Sequence, residues 1–500
     1  MNQLPSDHNN KVEFVPVQST KRHASRSLYF SWLRRFAGLT GGSWRRFRSF
    51  LSVNPVRSHW RALSRSQSLF LSNVGIAVLI AVVIAFFHQH HWLVRLENSA
   101  MDTMMEFNQG LPRMSDAGSA DPMQFTFLDI DDASYRGWGE PYHVPRDKIL
   151  KLIKFAAEAN ARLIVLDIDL SREGVDADDD RRLAAYLTQY GKGVAHPPLI
   201  LVRTFYSGEP GDRQWVDIRP SFLDEFEFPT SVHWAQPLFK ATLWDGVIRH
   251  WHLIKFGCLN GRLVLVPATQ LIAAALLSAG DVSSVNRYAD LNVVRMENCN
   301  NADSAASAIT FRDAGGRSEI FSPEAELGQR LIYTIPWKSP APDLITVPAQ
   351  LITESPHDLS GDLIRNRVVI IGASFADSRD IHRTPIGEMP GALIIANAIK
   401  SLTHYGQVRP PPALSHWVEK LFLILVAAWA FSRLTSLIAV FVAGAIIIGA
   451  LVPISFYFFK YGLWVDFAIP LLAMVIHRAV AEYRGVQSLP HTIDGQGRKT

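Results

Sequence analysis

Cysteine is almost absent from the chain: its 500 residues include two, Cys258 and Cys299. Two cysteines cannot build the disulfide framework on which small secreted domains depend. They could still form one bond in an oxidising compartment, or remain two separate buried thiols, and both alternatives stay open. The sequence therefore excludes a disulfide-rich fold without deciding whether this pair is bonded.

Common catalytic signatures are also missing around the turn Gly372-Ala373-Ser374. The turn has neither the lysine of a phosphate-binding P-loop nor a repeated glycine fingerprint, so it predicts a tight structural turn better than an anion site. A Gly-x-Ser-x-Gly elbow does not occur near it, which argues against a hydrolase. These motifs give no positive sign of an enzyme.

The excess of positive charge is confined to the beginning of the chain. Residues 1–68 contain 12 lysines and arginines but only two acids, a net charge of +10, whereas the whole chain carries +4. Residues 69–500 therefore sum to −6, and nucleic-acid binding by the main domain is not expected.

Four long apolar runs predict transmembrane helices at 69–87, 414–431, 434–459 and 463–481. About 20 apolar residues are needed to cross roughly 30 Å of hydrocarbon, and the run at 414–431 needs its flank to reach that length. Because 68 residues precede the first run, it predicts an anchor rather than a cleaved signal peptide. Arginines before that run predict that both termini are cytoplasmic, including the tail 482–500, and that residues 88–413 lie on the other side of the membrane. We expect this membrane to be the bacterial inner membrane, with residues 88–413 in the periplasm.

The basic tail, residues 1–68, contains a segment at 29–51 in which aromatic residues alternate with arginines. Aromatic and basic residues together are typical of a helix lying among lipid headgroups, so membrane lipid is an expected partner. Docking to a cytoplasmic partner is the alternative interpretation, and both could hold.

The external region predicts an α/β domain. Continuous apolar runs at 162–168 and 368–371 are typical of strands buried on both faces, and amphipathic segments at 146–159 and 178–190 are typical of helices. Alternating strands and helices predict a mostly parallel sheet. We also expect a strand at 331–335, an insertion at about 204–256, and a core that contains Phe127, Ile130, Leu163, Val165, Val369 and Ile371.

Acidic residues follow several predicted strands, and the carboxyl ends of parallel strands converge on the ligand crevice of such sheets. Carboxylates that lie close together repel one another unless a cation or a basic side chain lies between them. A site with oxygen ligands alone suits Mg²⁺ or Ca²⁺. Helix caps and turns are the alternative, as Asp favours both. The basic residues nearby in the sequence are Arg146, Arg379, His382 and Arg383. The candidate ligand-binding residues are Asp129, Asp131, Arg146, Asp167, Asp169, Asp377, Asp380 and Thr384, and whether they hold a metal stays open.

Three blocks of sequence resemble the second type of the CHASE family of extracellular sensory domains. They are LDIDDASYRGWGEPYHVPR at 128–146 with RLIVLDIDLS at 162–171, DGVIR at 245–249, and RVVIIGASFADSRDIHRTPIGEMPGALIIANAIKSL at 367–402. One membrane helix before the domain and three after it also match the family. The stretch Glu140-Pro141-Tyr142-His143 departs from the family's aromatic pattern.

The resemblance implies a sensory or regulatory protein that binds a small molecule or an envelope partner. Family members continue into a cyclase or kinase domain, whereas only about twenty residues follow the last predicted helix here. We therefore expect no enzymatic activity, no cofactor and a separate output protein in the membrane or cytoplasm, with homo-oligomers possible. A structural or assembly subunit of a membrane complex is the alternative, and an exported metal-dependent hydrolase is a third.

Overall fold

The computed structural model describes residues 64–87, 90–109, 123–206, 215–259, 262–283, 309–312, 318–321, 329–355, 359–409, 413–459 and 462–487. The chain divides into two compact units, Met1–Asn73 and Val74–Thr500. The predicted amphipathic segment at 29–51 and Cys299 lie outside the described residues.

Strands and helices alternate along most of the described chain. The helices are α1 (Arg65–Phe86), α2 (His91–Gln109), α3 (Asp132–Gly137), α4 (Arg146–Glu158), α5 (Ala177–Thr188), α6 (Thr269–Ala279), α7 (Ala349–Glu354), α8 (Gly391–Lys400), α9 (Ala413–Arg433), α10 (Ser436–Phe459) and α11 (Ala468–Gln487). The strands are β1 (Phe125–Ile130), β2 (Leu163–Leu166), β3 (Leu199–Val202), β4 (Trp215–Asp217), β5 (Val232–Ala235), β6 (Phe239–Ala241), β7 (Ile248–Trp251), β8 (Ile254–Leu259), β9 (Arg262–Pro267), β10 (Ile309–Arg312), β11 (Ser318–Phe321), β12 (Leu344–Pro348), β13 (Val368–Ala373), β14 (Ile381–Thr384) and β15 (Gly387–Pro390).

The central sheet has six strands in the order β12-β1-β13-β2-β3-β5, and every neighbouring pair is parallel. The α/β prediction with a mostly parallel sheet is therefore confirmed. A parallel sheet needs cover on both faces, which explains why β2 and β13 are apolar without alternation. All six residues predicted for the core have no exposed surface: Phe127, Ile130, Leu163, Val165, Val369 and Ile371.

Each face of the sheet has its own apolar core. Helices α6 and α8 cover one face, where they pack against side chains such as Phe127 and Val165. Helices α4, α5 and α7 cover the other, where Ile130 and Ile164 are buried. Helix α2 contributes Met101 and Met105 to the first core, so the segment that follows the first apolar helix is part of the domain.

The predicted strand at 331–335 is wrong, because this buried segment does not join a sheet. Its backbone is held by α8 and the π-helical turn Ser401–Tyr405 instead. The Asn397 side chain accepts hydrogen bonds from the N–H groups of Thr334 and Ile335, each 2.8 Å long, and donates one to the carbonyl of Ile335. Buried backbone groups need such partners, and here side chains replace a neighbouring strand.

The predicted insertion at about 204–256 is partly a component of the sheet. Strand β5 lies inside that range and pairs with β3, where it forms one edge of the six strands. The remainder contains β4, the hairpin β6–β7 and β8, which pairs with β9. This edge strand was not predicted, because the segment is rich in proline, tryptophan and charged residues and therefore resembled an insertion.

Two of the described helices are long and apolar enough to cross a membrane, through Ser66–Ile84 in α1 and Leu437–Phe459 in α10. Few residues of either stretch are buried inside the protein, unlike those of the core helix of a soluble domain. In α11 the apolar part is shorter, Ala468–Val480, because Leu463 pairs with Arg409 instead of continuing the helix as predicted.

Helix α8 begins at the carboxyl ends of the sheet strands and runs towards the apolar helices. Its first turn lies over Gly372 near the end of β13, since a Cβ there would meet Ala392. Its last residue, Lys400, pairs with Asp343, whose carbonyl accepts a hydrogen bond from Phe125 N at the beginning of β1. Helix α9 follows this end, so the carboxyl edge of the sheet faces away from the apolar helices.

Candidate functional site

Two aspartates lie at the carboxyl ends of β1 and β2, the strands on either side of β13, and on the same face of the sheet. Asp129 in β1 is paired in register with Gly372 of β13, and Asp167 N donates to the carbonyl of Ile371 on the other side of β13. Adjacent strands lie about 4.8 Å apart, which puts the two aspartate Cα atoms roughly 10 Å apart across Gly372. We name this row Asp129, Gly372 and Asp167 the carboxyl edge.

The carboxyl group of Asp129 is nearly enclosed, with 6% of the residue exposed. Its pKa is raised to about 7, mainly by burial, with a hydrogen bond to Ser374 opposing the rise and the charges of Asp131 and Asp132 adding to it. Its Oδ1 atom has no hydrogen-bond partner among the described residues. Asp129 is therefore a carboxyl group that exchanges a proton near neutral pH.

The half-buried Asp167 side chain lies near the beginning of α8. Burial raises its pKa well above the usual range, and the charge of Asp380 adds to the effect. Asp380 caps α8 by accepting a hydrogen bond from Gly391 N (3.1 Å), and it contacts His382 Nε2 at 3.0 Å. The carboxyl group of Asp380 therefore lies at the N-terminus of α8.

Gly372 and Gly391 let α8 approach the carboxyl edge closely. A Cβ on Gly372 would lie 2.5 Å from the Cβ of Ala392, and one on Gly391 would lie 2.6 Å from the carboxylate oxygens of Asp380. Both positions are too tight for any larger residue, because real Cβ atoms do not approach other atoms so closely. The glycines of the third resemblance block therefore have a packing role beside the acids.

Other predicted site residues have local structural partners. Asp131 caps α3 by accepting a hydrogen bond from Ser134 N (2.8 Å). Thr384 donates to the carbonyl of Gly387 within the β14–β15 hairpin. Asp377 lies exposed in a 3-10 turn that ends at Arg379, which has a left-handed backbone with φ of 55°. These partners fit the capping and turn interpretation.

The two remaining candidates have basic or acidic partners of their own. Arg146, 1% exposed, lies 3.4 Å from Asp180 and donates to the carbonyl of Arg172 (2.7 Å). Asp169 pairs with Arg219 at 3.3 Å and accepts a hydrogen bond from Ser171 N, and these contacts lower its pKa although burial acts to raise it.

Asp129 and Asp167 are thus the two candidate acids whose pKa is raised. In the part of the chain that the structure describes, no group of three or more His, Cys, Asp or Glu residues is arranged to hold a metal ion. Ligand binding at the eight candidate residues stays a prediction. The arrangement itself can accept protons or a cationic group at the carboxyl edge, since each ionised aspartate there lacks an arginine partner among the described ion pairs.

A second charged cluster, which sequence reasoning missed, holds α2 to the domain. Asp102 on α2 accepts hydrogen bonds from Arg249 Nε (2.8 Å) and Arg330 Nη2 (2.6 Å). Arg249 also forms a two-pronged pair with Asp245 at 2.9 and 2.7 Å, and Arg330 contacts the Asn98 side chain. The two arginines are 4% and 1% exposed. We name Asp102, Arg249, Asp245 and Arg330 the α2 clamp.

The clamp is electrically balanced, with two acids and two arginines. Its members are separated by up to 228 residues, so no local pattern reveals the whole cluster. Two partial signals exist: Asn98 and Asp102 are four residues apart on α2, and Asp245 and Arg249 begin and end the DGVIR block. Residues four apart share one face of a helix, which would have marked the polar pair on α2.

Helix α2 also contacts the apolar helices. Leu93, 1% exposed and in its first turn, belongs to one apolar cluster with Ile76, Ile80 and Ile84 of α1. Ile469 and Leu472 of α11 pack against the same cluster. The α2 clamp therefore joins the domain to a helix whose other end packs among α1 and α11.

Comparison with known proteins agrees with this architecture. The family model described as the CHASE2 domain matches residues 77–435, from within α1 to just beyond α9. Neither curated proteins nor solved structures give a match. Because the family match covers well over half of the chain and includes the carboxyl edge and the α2 clamp, the chain belongs to the CHASE2 family of extracellular sensory domains.

Proposed function

We propose that the protein is a membrane-anchored sensory or regulatory protein whose extracytoplasmic domain binds a small molecule or an envelope partner. Binding takes place at the carboxyl edge and changes the protonation or position of Asp129 and Asp167. The change reaches a separate output protein, in the membrane or in the cytoplasm. In this proposal the chain catalyses no reaction itself.

The α2 clamp is the observation that carries the proposal. A receptor must transmit a difference between two states, and transmission needs an element that is held firmly at both ends. Arg249 and Arg330, both buried, hold α2 to the domain through their ion pairs with Asp102. The apolar cluster around Leu93 holds α2 to α1 and α11. The family's sensory character and this mechanical link support the same function.

The membrane arrangement in the proposal keeps four spans, α1, α9, α10 and α11. Residues 88–413 then lie in the periplasm of a bacterial inner membrane and both termini lie in the cytoplasm. Support comes from the apolar stretches of α1 and α10 and from the basic residues before α1. The exposed side chains of α9, among them Val418, Leu421 and Trp429, would face lipid or a second copy of the chain.

A ligand screen on the full chain in lipid nanodiscs tests the proposal. Thermal unfolding is measured with amino acids, sugars, polyamines and divalent cations, since a ligand that binds the folded state raises the apparent Tm. A compound that raises the Tm of the wild type should no longer do so in Asp129→Asn. It should still do so in the control variant Asp362→Asn, which replaces an exposed acid outside the carboxyl edge. An unchanged response in Asp129→Asn would contradict binding at the carboxyl edge.

Partner capture then separates a sensor from the alternative, a structural or assembly subunit of a membrane complex. Proteins cross-linked to the chain in native membranes are quantified with and without that compound. A sensor predicts an amount that varies with ligand and that stops varying in Arg249→Met. A structural subunit predicts a fixed stoichiometry in every condition, and that result would contradict the sensory proposal.

A further inference from the structure

An exposed apolar loop tip lies beside the beginning of α2. The hairpin β6–β7 ends in a turn that contains Leu243, which is 99% exposed, and Trp244, which is 43% exposed. Water is an unfavourable environment for a fully exposed leucine, and tryptophan prefers the boundary between water and lipid. Two such neighbours at one tip need a partner more than scattered surface residues do.

Hydrogen bonds within the turn and to the α2 clamp hold the tip, so its exposure is a property of the fold. Thr242 N donates to the carbonyl of Val247 (2.9 Å), and Gly246 N donates to the carbonyl of Thr242 (2.8 Å). Gly246 has φ of 70°, a left-handed backbone that favours glycine. Asp245, within the same turn, is bound by Arg249 of the α2 clamp. The clamp therefore fixes the direction in which Leu243 and Trp244 point.

The position of Trp244 relates the tip to the membrane boundary. Its ring contacts two guanidinium groups, those of Arg95 at 5.1 Å and Arg249 at 5.0 Å from the ring centroid. Arg95 is two residues after Leu93, about 3 Å further along the helix axis. Leu93 belongs to the apolar cluster of Ile84, where the candidate span Ser66–Ile84 ends. Trp244 is thus level with the point at which the chain leaves that span.

The tip lies at the end of the domain that faces the apolar helices. Helix α8 runs towards this end, and the connection between α10 and α11 packs into the same core as β7, through Trp464 and Trp251. Arg95 next to Trp244 supplies a cation that can pair with lipid phosphate. An apolar tip, a tryptophan and an arginine at one level are the chemistry of the headgroup region of a bilayer.

We propose that the Leu243–Trp244 tip is inserted into the headgroup region of the outer leaflet, where it is a second point of attachment between the domain and the membrane. The inference rests on the proposal that α1 crosses the membrane. Since the turn is bound to the α2 clamp, lipid contact at the tip would hold Arg249 and hence α2 in a fixed place relative to the bilayer.

Depth-dependent fluorescence quenching of the full chain in vesicles tests this inference. Single cysteines replace Leu243, Val175 or Val82 in a background of Cys258→Ser and Cys299→Ser, and each is labelled with an environment-sensitive fluorophore. Val175 is a matched control, 90% exposed, in the loop that follows β2 at the distant end of the domain. Val82, 61% exposed in α1, reports whether that helix crosses the membrane.

The vesicles contain phosphatidylethanolamine and phosphatidylglycerol, with or without lipids that carry a nitroxide quencher near the headgroup or deep in the acyl chains. We expect shallow quenchers to reduce the fluorescence at position 243, deep quenchers to reduce it at position 82, and neither to affect position 175. Loss of fluorescence at 82 without loss at 243 would overturn the lipid-contact inference alone. A blue-shifted but unquenched label at 243 would also overturn it, because a protein would then cover the tip. No loss at position 82 would overturn the α1 span on which the inference rests.

Discussion

The carboxyl edge and the α2 clamp place the same residue type in opposite electrostatic surroundings. At the carboxyl edge, burial raises the pKa of Asp129 to about 7, and no arginine among the described residues pairs with it. In the α2 clamp, burial acts in the same direction on Asp245, but the hydrogen bonds and charge of Arg249 lower its pKa. Unpaired acids respond to protons and ligands, whereas paired acids hold two parts of the molecule together.

Breaking the α2 clamp should have the largest effect on stability. Arg330→Met leaves Asp102 with one of its two arginines in a poorly solvated site, and removal of one partner from a buried pair costs about 3–5 kcal/mol. We expect a marked fall in the free energy of unfolding, measured by denaturant titration in detergent. The matched control is Arg365→Met, whose pair with Asp362 has side chains 67% and 78% exposed and should cost less than about 1 kcal/mol. Equal effects of the two variants would show that the clamp does not hold α2.

The pH dependence of stability should separate the two regions next. The folded state raises the pKa of Asp129 from 3.8 to about 7, so between these values it binds more protons than the unfolded state. Its contribution is therefore fully present below pH 4 and is lost as the pH rises through 7, a change of roughly 4 kcal/mol at about 1.4 kcal/mol per pKa unit.

Asp129→Asn should remove this part of the decline, which is measured as the difference between variant and wild-type stability from pH 4 to pH 8. Asp169 is the control, because its lowered pKa gives the opposite sign: its contribution is present at neutral pH and is lost as the pH falls. A decline that is equally steep in Asp129→Asn would contradict the assignment of this proton to the carboxyl edge.

Packing at the carboxyl edge gives a smaller expected effect. Gly372→Ala places a Cβ 2.5 Å from that of Ala392, and overpacking of this kind costs typically about 1–3 kcal/mol. Gly361→Ala is the control, since its nearest atom, the Cβ of Ala159, is 3.9 Å away. Thermal unfolding of both variants should show a lower Tm for Gly372→Ala alone. No difference between them would mean that α8 can move away from β13 without cost.

The exposed ion pair between Arg219 and Asp169 should matter least. Arg219 pairs with Asp169 at 3.3 Å, where the side chains are 31% and 44% exposed. Its replacement in Arg219→Met should change the free energy of unfolding by no more than about 1 kcal/mol, because exposed pairs are weak. A loss as large as that of Arg330→Met would remove the distinction between exposed and enclosed pairs on which the comparison depends.

Local sequence pattern predicted the sheet because buried parallel strands need continuous apolar residues, as in β2 and β13. It failed at 331–335, where the same pattern occurs but the side chain of Asn397 binds the backbone in place of a neighbouring strand. The partner lies 62 residues away from Ile335, beyond the reach of any periodicity.

The candidate site shows the same limit. The positions of Asp129 and Asp167 after apolar runs were enough to place them at one edge of the sheet. The distinction between them and Asp131 or Asp169 was not predictable, because it depends on Ser134, Arg219 and other partners that only the fold brings near. The pairing of Asp102 with Arg330 was hidden for the same reason.

Hydrogen–deuterium exchange of the full chain in lipid nanodiscs tests the central claim most directly, namely that the carboxyl edge acts on the membrane helices through α2. Protons are the probe: exchange at pH 5.5 and 7.5 is corrected for the intrinsic rate and compared between wild type, Asp129→Asn and Arg249→Met. The account predicts that protection of β13–α8 and of α2 changes together in wild type and in neither segment of Asp129→Asn. It predicts a change in β13–α8 without one in α2 for Arg249→Met. A wild-type α2 whose protection stays constant while β13–α8 responds would contradict the account.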